Sequence, residues 1–324
     1  MKFRTEVQPK PFRIKFGYGS RLLAIGSCFA DYMAQALAEA KFNVTANPAG
    51  VLFNPASIAR TLRIFDAGTQ VTPQELTSAG GRFFDYRFHG SLADSDPRQA
   101  AEKINRAVNI GHEALKKCDT VIITLGTAWV YVLEADGEIV ANCHKQPATL
   151  FTRRRLSIDE IVEDMASLFE TLLKGRHVIL TVSPVRHAGD GAEENFLSKA
   201  ILKCAAAELA ERFPDVDYFP AYEIMNDDLR DYRFYAEDMI HPSPQAVEYI
   251  REKFFAAALD NLSAEALPRV AKIVAAAAHR PLDPDSAEFR AFARTSLAAL
   301  GRLQSEIEGL DLEAERRYFE SFAE

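Results

Sequence analysis

The segment Arg21-Leu22-Leu23-Ala24-Ile25-Gly26-Ser27-Cys28-Phe29-Ala30 passes from a strand pattern to a helix pattern at its serine. Residues 21–25 form a short apolar run, whereas apolar side chains recur at helical spacing from residue 29 to residue 40. Ser27 therefore lies at the carboxyl end of a predicted strand and heads the following helix. Ligands bind at that end of the strands in open α/β sheets, and N–H groups at a helix N-terminus can stabilise an oxyanion. Ser27 is thus a candidate nucleophile, with helix capping as the alternative role.

The same alternation of strand and helix patterns continues to about residue 220. Short apolar or β-branched runs predict five strands, at residues 22–26, 42–46, 120–125, 178–182 and 216–219. Segments of helical period separate most of them, at residues 29–41, 98–117, 158–174 and 193–213. Right-handed crossovers then produce a parallel sheet that is covered on both faces. The predicted fold class is α/β, a three-layer α/β/α domain with a doubly wound, parallel five-stranded sheet.

Two insertions and a C-terminal extension complete the predicted organisation. Residues 47–97 are rich in proline and glycine and indicate an elaborated connection with an extra strand or hairpin. Residues 126–152 place Asp136-Gly137 between two β-like runs, a strong hairpin signal. We expect a main domain at residues 1–262 and a helical appendage at residues 263–324. The amphipathic appendage is expected to cover the main domain or to form a homo-oligomer contact.

The composition is typical of an ordinary folded protein and excludes several function classes. Of the 324 residues 48% are hydrophobic and 26% are charged, which supplies enough apolar material for a core. The formal net charge is -8, and the basic run Arg153-Arg154-Arg155 is typical of a solvated helix start. The sequence therefore indicates neither nucleic-acid binding nor a polybasic membrane anchor. No uncharged apolar stretch is long enough to predict a membrane span.

Cysteine usage and the first residues indicate a reducing compartment. Cys28, Cys118, Cys143 and Cys204 are widely spaced and form no CxxC pair, which argues against a zinc ribbon or a redox dithiol. The N-terminal residues scatter charges and prolines and lack the apolar core of a secretory signal. We expect a cytoplasmic protein with reduced thiols, and with neither a metal nor another cofactor.

A second chemical motif follows the fifth predicted strand. A serine hydroxyl is a poor nucleophile until an oriented histidine removes its proton. Asp238 and His241 are three residues apart on a loop that enters a helix, so the carboxylate can hold the imidazole in one tautomer. The first and fifth strands end at the same edge of such a sheet. We therefore predict that Ser27, Asp238 and His241 converge as a catalytic triad, the alternative being a purely structural Asp–His pair.

Several motifs, in order along the chain, resemble those of a known family. They are Gly26-Ser27-Cys28-Phe29-Ala30, Asn47-Pro48-Ala49-Gly50-Val51-Leu52-Phe53-Asn54-Pro55, Thr124-Leu125-Gly126-Thr127-Ala128-Trp129, Asn142-Cys143-His144-Lys145, Ser183-Pro184-Val185-Arg186-His187 and the motif from Asp238 to His241. Over about residues 20–258 the chain resembles the GSCFA-domain family, which is itself similar to the SGNH/GDSL esterases and acyltransferases. The resemblance implies an SGNH-like or flavodoxin-like fold and acyl-transfer chemistry.

The resemblance also implies an oxyanion hole. Its donors would be the backbone N–H groups of Ser27 and Gly50, together with an asparagine amide in the third motif. This chain has Gly126-Thr127-Ala128-Trp129 at that position, so the asparagine is missing. Loss of one such donor costs about 2.7–4 kcal/mol of transition-state stabilisation. The Thr127 hydroxyl is the expected replacement, and Asn142 or His144 could reach over the same pocket.

Two polar clusters are candidates for substrate binding. Asn142, His144 and Lys145 on the predicted hairpin suit an anionic or polyhydroxyl ligand, although the same cluster is compatible with core packing and a solvated lysine. Arg186 and His187 follow the fourth predicted strand, where an arginine can bind a carboxylate or phosphate. The alternative for Arg186 is an ion pair within its loop.

These expectations lead to a serine-dependent acyl-ester hydrolase that acts on an O-acylated saccharide or another small ester. An O-acyltransferase with the same triad is one alternative, in which a sugar hydroxyl replaces water as the acceptor. A ligand-binding or scaffold protein that has lost efficient chemistry is another, suggested by the missing asparagine. A cysteine hydrolase that uses Cys28 with His144 or His241 is less favoured, because the residue after such a serine usually points into the fold.

Overall fold

A parallel five-stranded sheet forms the centre of the computed structural model, which describes residues 4–323. The strands are β1 Arg21–Gly26, β2 Asn43–Ala46, β3 Thr77–Ala79, β4 Arg82–Phe84, β5 Thr120–Leu125, β6 Trp129–Leu133, β7 Ile139–Val140, β8 Phe151–Arg155, β9 His177–Val182 and β10 Val216–Phe219. The central sheet has the order β10-β9-β5-β1-β2, and all of its pairs are parallel. The predicted α/β class and its five strands are confirmed.

Helices cover both faces of this sheet. They are α1 Cys28–Glu39, α2 Pro55–Ala67, α3 Pro97–Lys117, α4 Ile158–Glu170, α5 Ala192–Arg212, α6 Ala221–Glu223, α7 Pro244–Ala258, α8 Asn261–Ala278, α9 Ala287–Glu306 and α10 Glu313–Ala323. Because side chains alternate along a strand, Leu23 and Ile25 face one apolar cluster while Leu22 and Ala24 face the other. Helices α2 to α5 pack in the first cluster, and α1 with α7 to α10 pack in the second.

The insertion at residues 47–97 contains a helix that the sequence analysis missed. Its predicted hairpin is present as the antiparallel pair β3–β4. Helix α2, however, begins at Pro55, and the Asn54 side chain caps it by accepting a hydrogen bond from Ser57 N. Proline at the first helical position starts a helix rather than breaking one, because the N–H that it lacks would have no partner there.

The insertion at residues 126–152 and the segment after it form a small antiparallel sheet of order β7-β6-β8. The predicted hairpin around Asp136-Gly137 is confirmed by the β6–β7 pairing. The expectation of a helix start at Arg153-Arg154-Arg155 is wrong, because these residues belong to β8 and pair with β6. The Arg153 guanidinium lies 3.9 Å from the centre of the Trp129 ring, so the strand is held by cation–π contacts as well as by backbone hydrogen bonds.

The C-terminal helices pack against the main domain. The predicted amphipathic pair is present as α9 and α10, and the preceding alanine-rich helix is α8. Val270, Leu300 and Phe319 join Phe254 of α7 in one buried cluster. An ion pair of 2.5 Å between Lys41 Nζ and Glu315 Oε1 adds a polar contact between the end of α1 and α10. Across residues 4–323, every helix is too short or too polar to cross a membrane.

Candidate active site

Ser27 lies at the junction of β1 and α1, at the carboxyl edge of the central sheet. Gly26 adopts a φ of 137°, and a Cβ atom there would lie 2.1 Å from Thr124 O, so only glycine lets β1 approach β5 this closely. The Ser27 side chain is 1% exposed, and its Oγ accepts a hydrogen bond of 3.3 Å from Phe29 N. The hydroxyl therefore caps α1 in this structure, while its backbone position is the one predicted for a nucleophile.

Asp238 and His241 form the predicted pair on the loop between β10 and α7. His241 Nδ1 lies 2.6 Å from Asp238 Oδ2, and Asp238 Oδ1 accepts hydrogen bonds from the backbone N–H groups of His241 and Ile240. Those hydrogen bonds from His241 and Ile240 lower the pKa of the Asp238 carboxyl to about 2. An ionised Asp238 holds the proton on Nδ1, which leaves the lone pair of a neutral imidazole on Nε2.

The imidazole is directed at the Ser27–Cys28 turn but contacts the thiol rather than the hydroxyl. His241 Nε2 lies 3.6 Å from Cys28 Sγ. Among residues 4–323, Ser27 Oγ makes no hydrogen bond with the imidazole, because it is turned towards Phe29 N. The structure thus brings the three predicted residues to one edge of the sheet without forming the Ser27–His241 hydrogen bond.

The Cys28 thiol is a poor nucleophile in this environment. Burial raises its pKa, and the nearby Asp31 carboxylate raises it further, while Lys199 acts in the opposite direction. The contact with His241 is therefore made by a neutral S–H group rather than by a thiolate. A thiol that stays protonated near neutral pH argues against Cys28 as the attacking group.

The predicted oxyanion donors are engaged elsewhere. Ser27 N donates to Thr124 O at 3.1 Å, and Gly50 N donates to Asn47 O at 2.8 Å. The Thr127 hydroxyl pairs with Ser198 Oγ at 3.0 Å and accepts a hydrogen bond from Trp129 N. The expectation that these three groups form an oxyanion hole does not match this structure, because Ser27 N is paired with β5, Gly50 N with its own loop and the Thr127 hydroxyl with α5.

Cys28 N is one of the helix N-terminal donors expected after Ser27, although the sequence analysis did not name it. It is the first N–H of α1, and in the part of the chain that the structure describes it has no oxygen acceptor. The first N–H groups of a helix have no acceptor within the helix. The start of a helical pattern directly after Ser27 could therefore have indicated this donor.

Asn47 is a second residue whose role was not foreseen. Its side-chain oxygen accepts a hydrogen bond from Gly26 N at 2.8 Å, and its Nδ2 donates to Asp31 Oδ1 at 2.7 Å. Asn47 thereby connects the loop after β2 to the backbone immediately before Ser27. In the sequence, Asn47 could have been recognised as a candidate because it begins the motif that contains Gly50.

Arg186 packs against the loop that carries Asp238 and His241. Its guanidinium lies 3.9 Å from the centre of the Tyr235 ring and donates a long hydrogen bond of 3.5 Å to Met239 O. Its backbone N–H also donates to Ile240 O at 3.2 Å. Arg186 therefore supports the loop that carries Asp238 and His241. This structural role is similar to the alternative expected from the sequence, except that the contacts are a cation–π contact and hydrogen bonds to the backbone rather than an ion pair.

A cleft of about 270 Å³ lies between the second insertion and the loop after β2. Aromatic and polar groups share its wall, and its lining residues are Phe53, Asn54, Thr127, Trp129, Tyr131, Val140, Ala141, Asn142, Cys143, Arg153, His187 and Asp190. Gly126, next to Thr127, comes so close to Ser27 that a Cβ atom on it would lie 3.3 Å from Ser27 Cβ. The cleft is therefore adjacent to Ser27, and it contains the predicted Asn142 and His187.

His187 presents a neutral imidazole to this cleft. Burial lowers its pKa to about 4, and the Lys199 charge adds to the effect. The ring also packs edge-on against Phe53, with 5.6 Å between the ring centres. His187 can therefore donate or accept a hydrogen bond near neutral pH without bringing a charge into the cleft.

His144 and Lys145 line a different cavity, of about 460 Å³, together with Asn142. The His144 ring stacks on Phe84 with 4.1 Å between ring centres, and its Nε2 lies 3.2 Å from Asp85 O. Burial lowers the pKa of His144. These contacts join the two insertions, so His144 packs against the first insertion rather than facing the cleft beside Ser27.

Lys199 is a buried residue that the sequence analysis passed over. It lies on α5 and is 1% exposed, and its Nζ donates to Gly126 O at 2.6 Å and to Ser183 O at 2.8 Å. Leu202 and Ala206, three and seven residues after Lys199, are buried on the same helix, so this helical spacing was the available signal. Within residues 4–323, no group of three or more His, Cys, Asp or Glu side chains could hold a metal ion.

Comparisons with known structures reveal low overall similarity. A Streptococcus pneumonia protein described as a candidate platelet activating factor is 11% identical, with a TM-score of 0.37 over 73% of this chain and 83% of that one. An acetyl xylan esterase, Est2A, from the rumen bacterium Butyrivibrio proteoclasticus is 14% identical, with a TM-score of 0.35 over 73% of this chain and 62% of that one. Similarity this low says nothing about the reaction.

Comparison with protein-family models shows the family to which the chain belongs. No curated protein matches the chain in sequence. The model of the GSCFA family matches residues 21–254, and the model described as the C-terminal domain of GSCFA domain proteins matches residues 270–324. The first match alone spans more than half of the chain and includes Ser27, Asp238 and His241. The chain belongs to the GSCFA family.

Proposed function

We propose that this protein is a serine-dependent acyl-ester hydrolase. Ser27 is the nucleophile, His241 the general base and Asp238 the group that orients it. The observation that carries the proposal is the Asp238–His241 pair, whose Nε2 is directed at the Ser27–Cys28 turn where β1 ends. The carboxyl edge of a parallel sheet is where α/β enzymes bind their ligands, which supports placing the reaction there.

The reaction begins when Ser27 Oγ leaves its capping position. The hydroxyl gives up one hydrogen bond of 3.3 Å to Phe29 N, and losing a cap costs about 0.5–2 kcal/mol. Rotation of Ser27, with a small shift of the imidazole away from Cys28, brings Oγ to Nε2. Catalytic hydrogen bonds are often long or unformed before substrate binds, so this rearrangement fits an unliganded enzyme.

Ester cleavage then follows the usual two stages. His241 Nε2 takes the Ser27 proton while Oγ bonds to the ester carbonyl carbon, and the imidazolium returns the proton to the departing alcohol. Water, activated by the same imidazole, hydrolyses the acyl–serine ester. The Cys28 N–H at the start of α1 is the donor that supports the oxyanion, because it has no oxygen acceptor among residues 4–323 and lies next to Ser27.

The cleft beside Ser27 suits a small polyhydroxyl substrate. Its volume of about 270 Å³ accommodates a single sugar-sized group, and Phe53, Trp129 and Tyr131 offer apolar faces. Asn142 and the neutral His187 offer hydrogen-bonding groups on the same wall. An O-acylated saccharide is therefore the substrate class that we propose.

A ligand-binding protein without catalysis is the second candidate. It is favoured by the capping role of the Ser27 hydroxyl and by the engaged N–H groups of Ser27 and Gly50. In such a protein the cleft would bind a saccharide, and the Asp238–His241 pair would only stabilise its loop.

Turnover of a short-chain nitrophenyl ester separates these candidates. The hydrolase loses turnover in Ser27→Ala and His241→Ala. Ser157→Ala is the matched control, because Ser157 also caps a helix, α4, but lies away from the cleft. If wild-type protein and Ser27→Ala give the same rate, the hydrolase proposal is wrong.

A further inference from the structure

Lys199 is buried without a counter-charge. It is 1% exposed, and within residues 4–323 no carboxylate lies within ion-pair distance of its Nζ. An ammonium group removed from water without an anionic partner is unfavourable, and proteins keep such groups where they have a task. Burial lowers the pKa of Lys199 to about 7.

The two acceptors of Lys199 lie at neighbouring strand ends. Gly126 directly follows β5 and Ser183 directly follows β9, and Nζ binds both of their carbonyl oxygens. Gly126 is also the residue on which an added Cβ would lie 3.3 Å from Ser27 Cβ. The lysine therefore fixes the backbone that packs directly against the candidate nucleophile.

The Gly126 and Ser183 carbonyl groups affect the electrostatic potential where the oxyanion of acyl transfer would form. A carbonyl oxygen at the carboxyl end of a parallel strand carries partial negative charge, which opposes an oxyanion forming beside it. Hydrogen bonds from an ammonium group offset that charge and keep the carbonyls turned towards the lysine. The chain has no asparagine at the third motif to supply this stabilisation directly.

We propose that Lys199 is a positioning residue for acyl transfer, which holds the Gly126 and Ser183 carbonyls and places a positive charge beneath the Ser27–Cys28 turn. The inference rests on the proposed hydrolase function, but the geometry that it uses does not depend on the identity of the ester.

Several ionisable groups act on Lys199 from the elements packed against it. The Asp190 carboxylate after β9 raises its pKa, against the dominant effect of burial, and the Cys28 thiol of α1 would do so only as a thiolate. The neutral His187 lies on the same side, and the Tyr222 ring next to α5 has its centre 6.0 Å from Nζ. Lys199 consequently loses its charge as the pH rises through about 7.

The kinetic test compares Lys199→Met with a matched control. Lys253→Met also removes a buried lysine, one that is 8% exposed and bonds Glu6 Oε1 and Val7 O rather than strand ends near Ser27. The readout is the rate of Ser27 labelling by a fluorophosphonate probe between about pH 5.5 and 8.5. Lys199→Met should label on the order of tenfold more slowly, less than the ~10²–10³ expected for loss of a direct donor.

The pH dependence of the labelling rate distinguishes a positioning role of Lys199 from a role in folding stability alone. In wild type and in Lys253→Met, the labelling rate should fall as the pH rises through about 7, where Lys199 is deprotonated. Lys199→Met should lack that fall. A Lys199→Met protein that labels at the wild-type rate with the wild-type pH profile would overturn the proposal.

A measurement on the wild-type protein covers the case in which Lys199→Met does not fold. In protein with isotope-labelled lysine and backbone amides, NMR follows the Lys199 side chain together with the amides of Ser27 and Gly126. The proposal expects them to titrate together, near pH 7. Ser27 and Gly126 amide signals that do not change over the pH range in which Lys199 titrates would contradict the proposal. Absence of fluorophosphonate labelling in wild type would instead refute the hydrolase function, and the NMR titration would still decide the coupling.

Discussion

The imidazole of His241 and the thiol of Cys28 are in contact, with 3.6 Å between Nε2 and Sγ. Ser27 immediately precedes Cys28, and its hydroxyl is turned the other way, towards Phe29 N. His241 Nε2, the proposed acceptor of the serine proton, is therefore directed at the turn that contains Ser27 and Cys28. A Ser27–His241 hydrogen bond requires both a different orientation of the buried serine side chain and a shift of the imidazole away from Cys28.

Replacement of Cys28 by alanine should leave fluorophosphonate labelling within about threefold of wild type. Burial keeps the pKa of the Cys28 thiol raised, so the thiol does not compete as a nucleophile, and its removal frees Nε2 for Ser27. The rate of probe labelling measures this, and Cys204→Ala, at an exposed position, is the control. Loss of labelling in Cys28→Ala alone would point to a cysteine enzyme instead.

Replacement of Asp238 by asparagine should reduce labelling strongly. An amide at this position no longer holds the proton on His241 Nδ1, and loss of the orienting carboxylate in a Ser-His-Asp triad lowers kcat by about 10⁴. Asp231→Asn is a suitable control, because Asp231 likewise accepts a backbone hydrogen bond, from Arg233 N, in an exposed loop. Similar labelling rates for both variants would show that Asp238 only supports its loop.

Replacement of Gly26 by alanine should destabilise the fold much more than Gly137→Ala. Both glycines have positive φ values, 137° for Gly26 and 76° for Gly137, so each substitution adds backbone strain of about 1–3 kcal/mol. Only at Gly26 would the new Cβ collide with Thr124 O, at 2.1 Å, whereas nothing lies within 4 Å of it at Gly137. Denaturant unfolding measures the difference. Equal losses would mean that the β1–β5 approach at Ser27 is not tight.

Replacement of His187 by glutamine should change how stability depends on pH. Burial lowers the pKa of His187 from 6.5 to about 4, so between these values the unfolded chain binds a proton that the folded protein does not. Stability should therefore fall as the pH drops from about 6.5 to about 4. The His187→Gln variant should lose less of its unfolding free energy over this range. His279→Gln, at an exposed site, should behave like wild type.

Much of the fold could be predicted because its signals are local. Strands β1, β5, β9 and β10 of the central sheet are buried on both faces, so they form short apolar runs, and the helices between them keep their period. Helix α2 was missed because Pro55 resembles a breaker until its place after the cap Asn54 is known. Strand β8 was missed because three arginines look solvated, whereas Arg153 lies over the Trp129 ring, which belongs to another strand.

The site was predictable only in part, for a related reason. The Asp238–His241 pair depends on a spacing of three residues, and that spacing is visible in the sequence. The orientation of Ser27 Oγ and the hydrogen bond of Gly50 N depend on loop conformation, which no spacing records. Lys199 lies on the buried side of α5, but its two acceptors could not be predicted, because they lie at strand ends that are distant in sequence.

The site of covalent modification by a fluorophosphonate is the most direct measure of the proposed chemistry. The protein is treated with the probe, digested, and mapped by mass spectrometry, in parallel with His241→Ala. A single adduct on the peptide that contains Ser27, lost when His241 is replaced, is the expected result. An unmodified Ser27 in protein that is shown to be folded, or an adduct that forms equally without His241, would contradict the account.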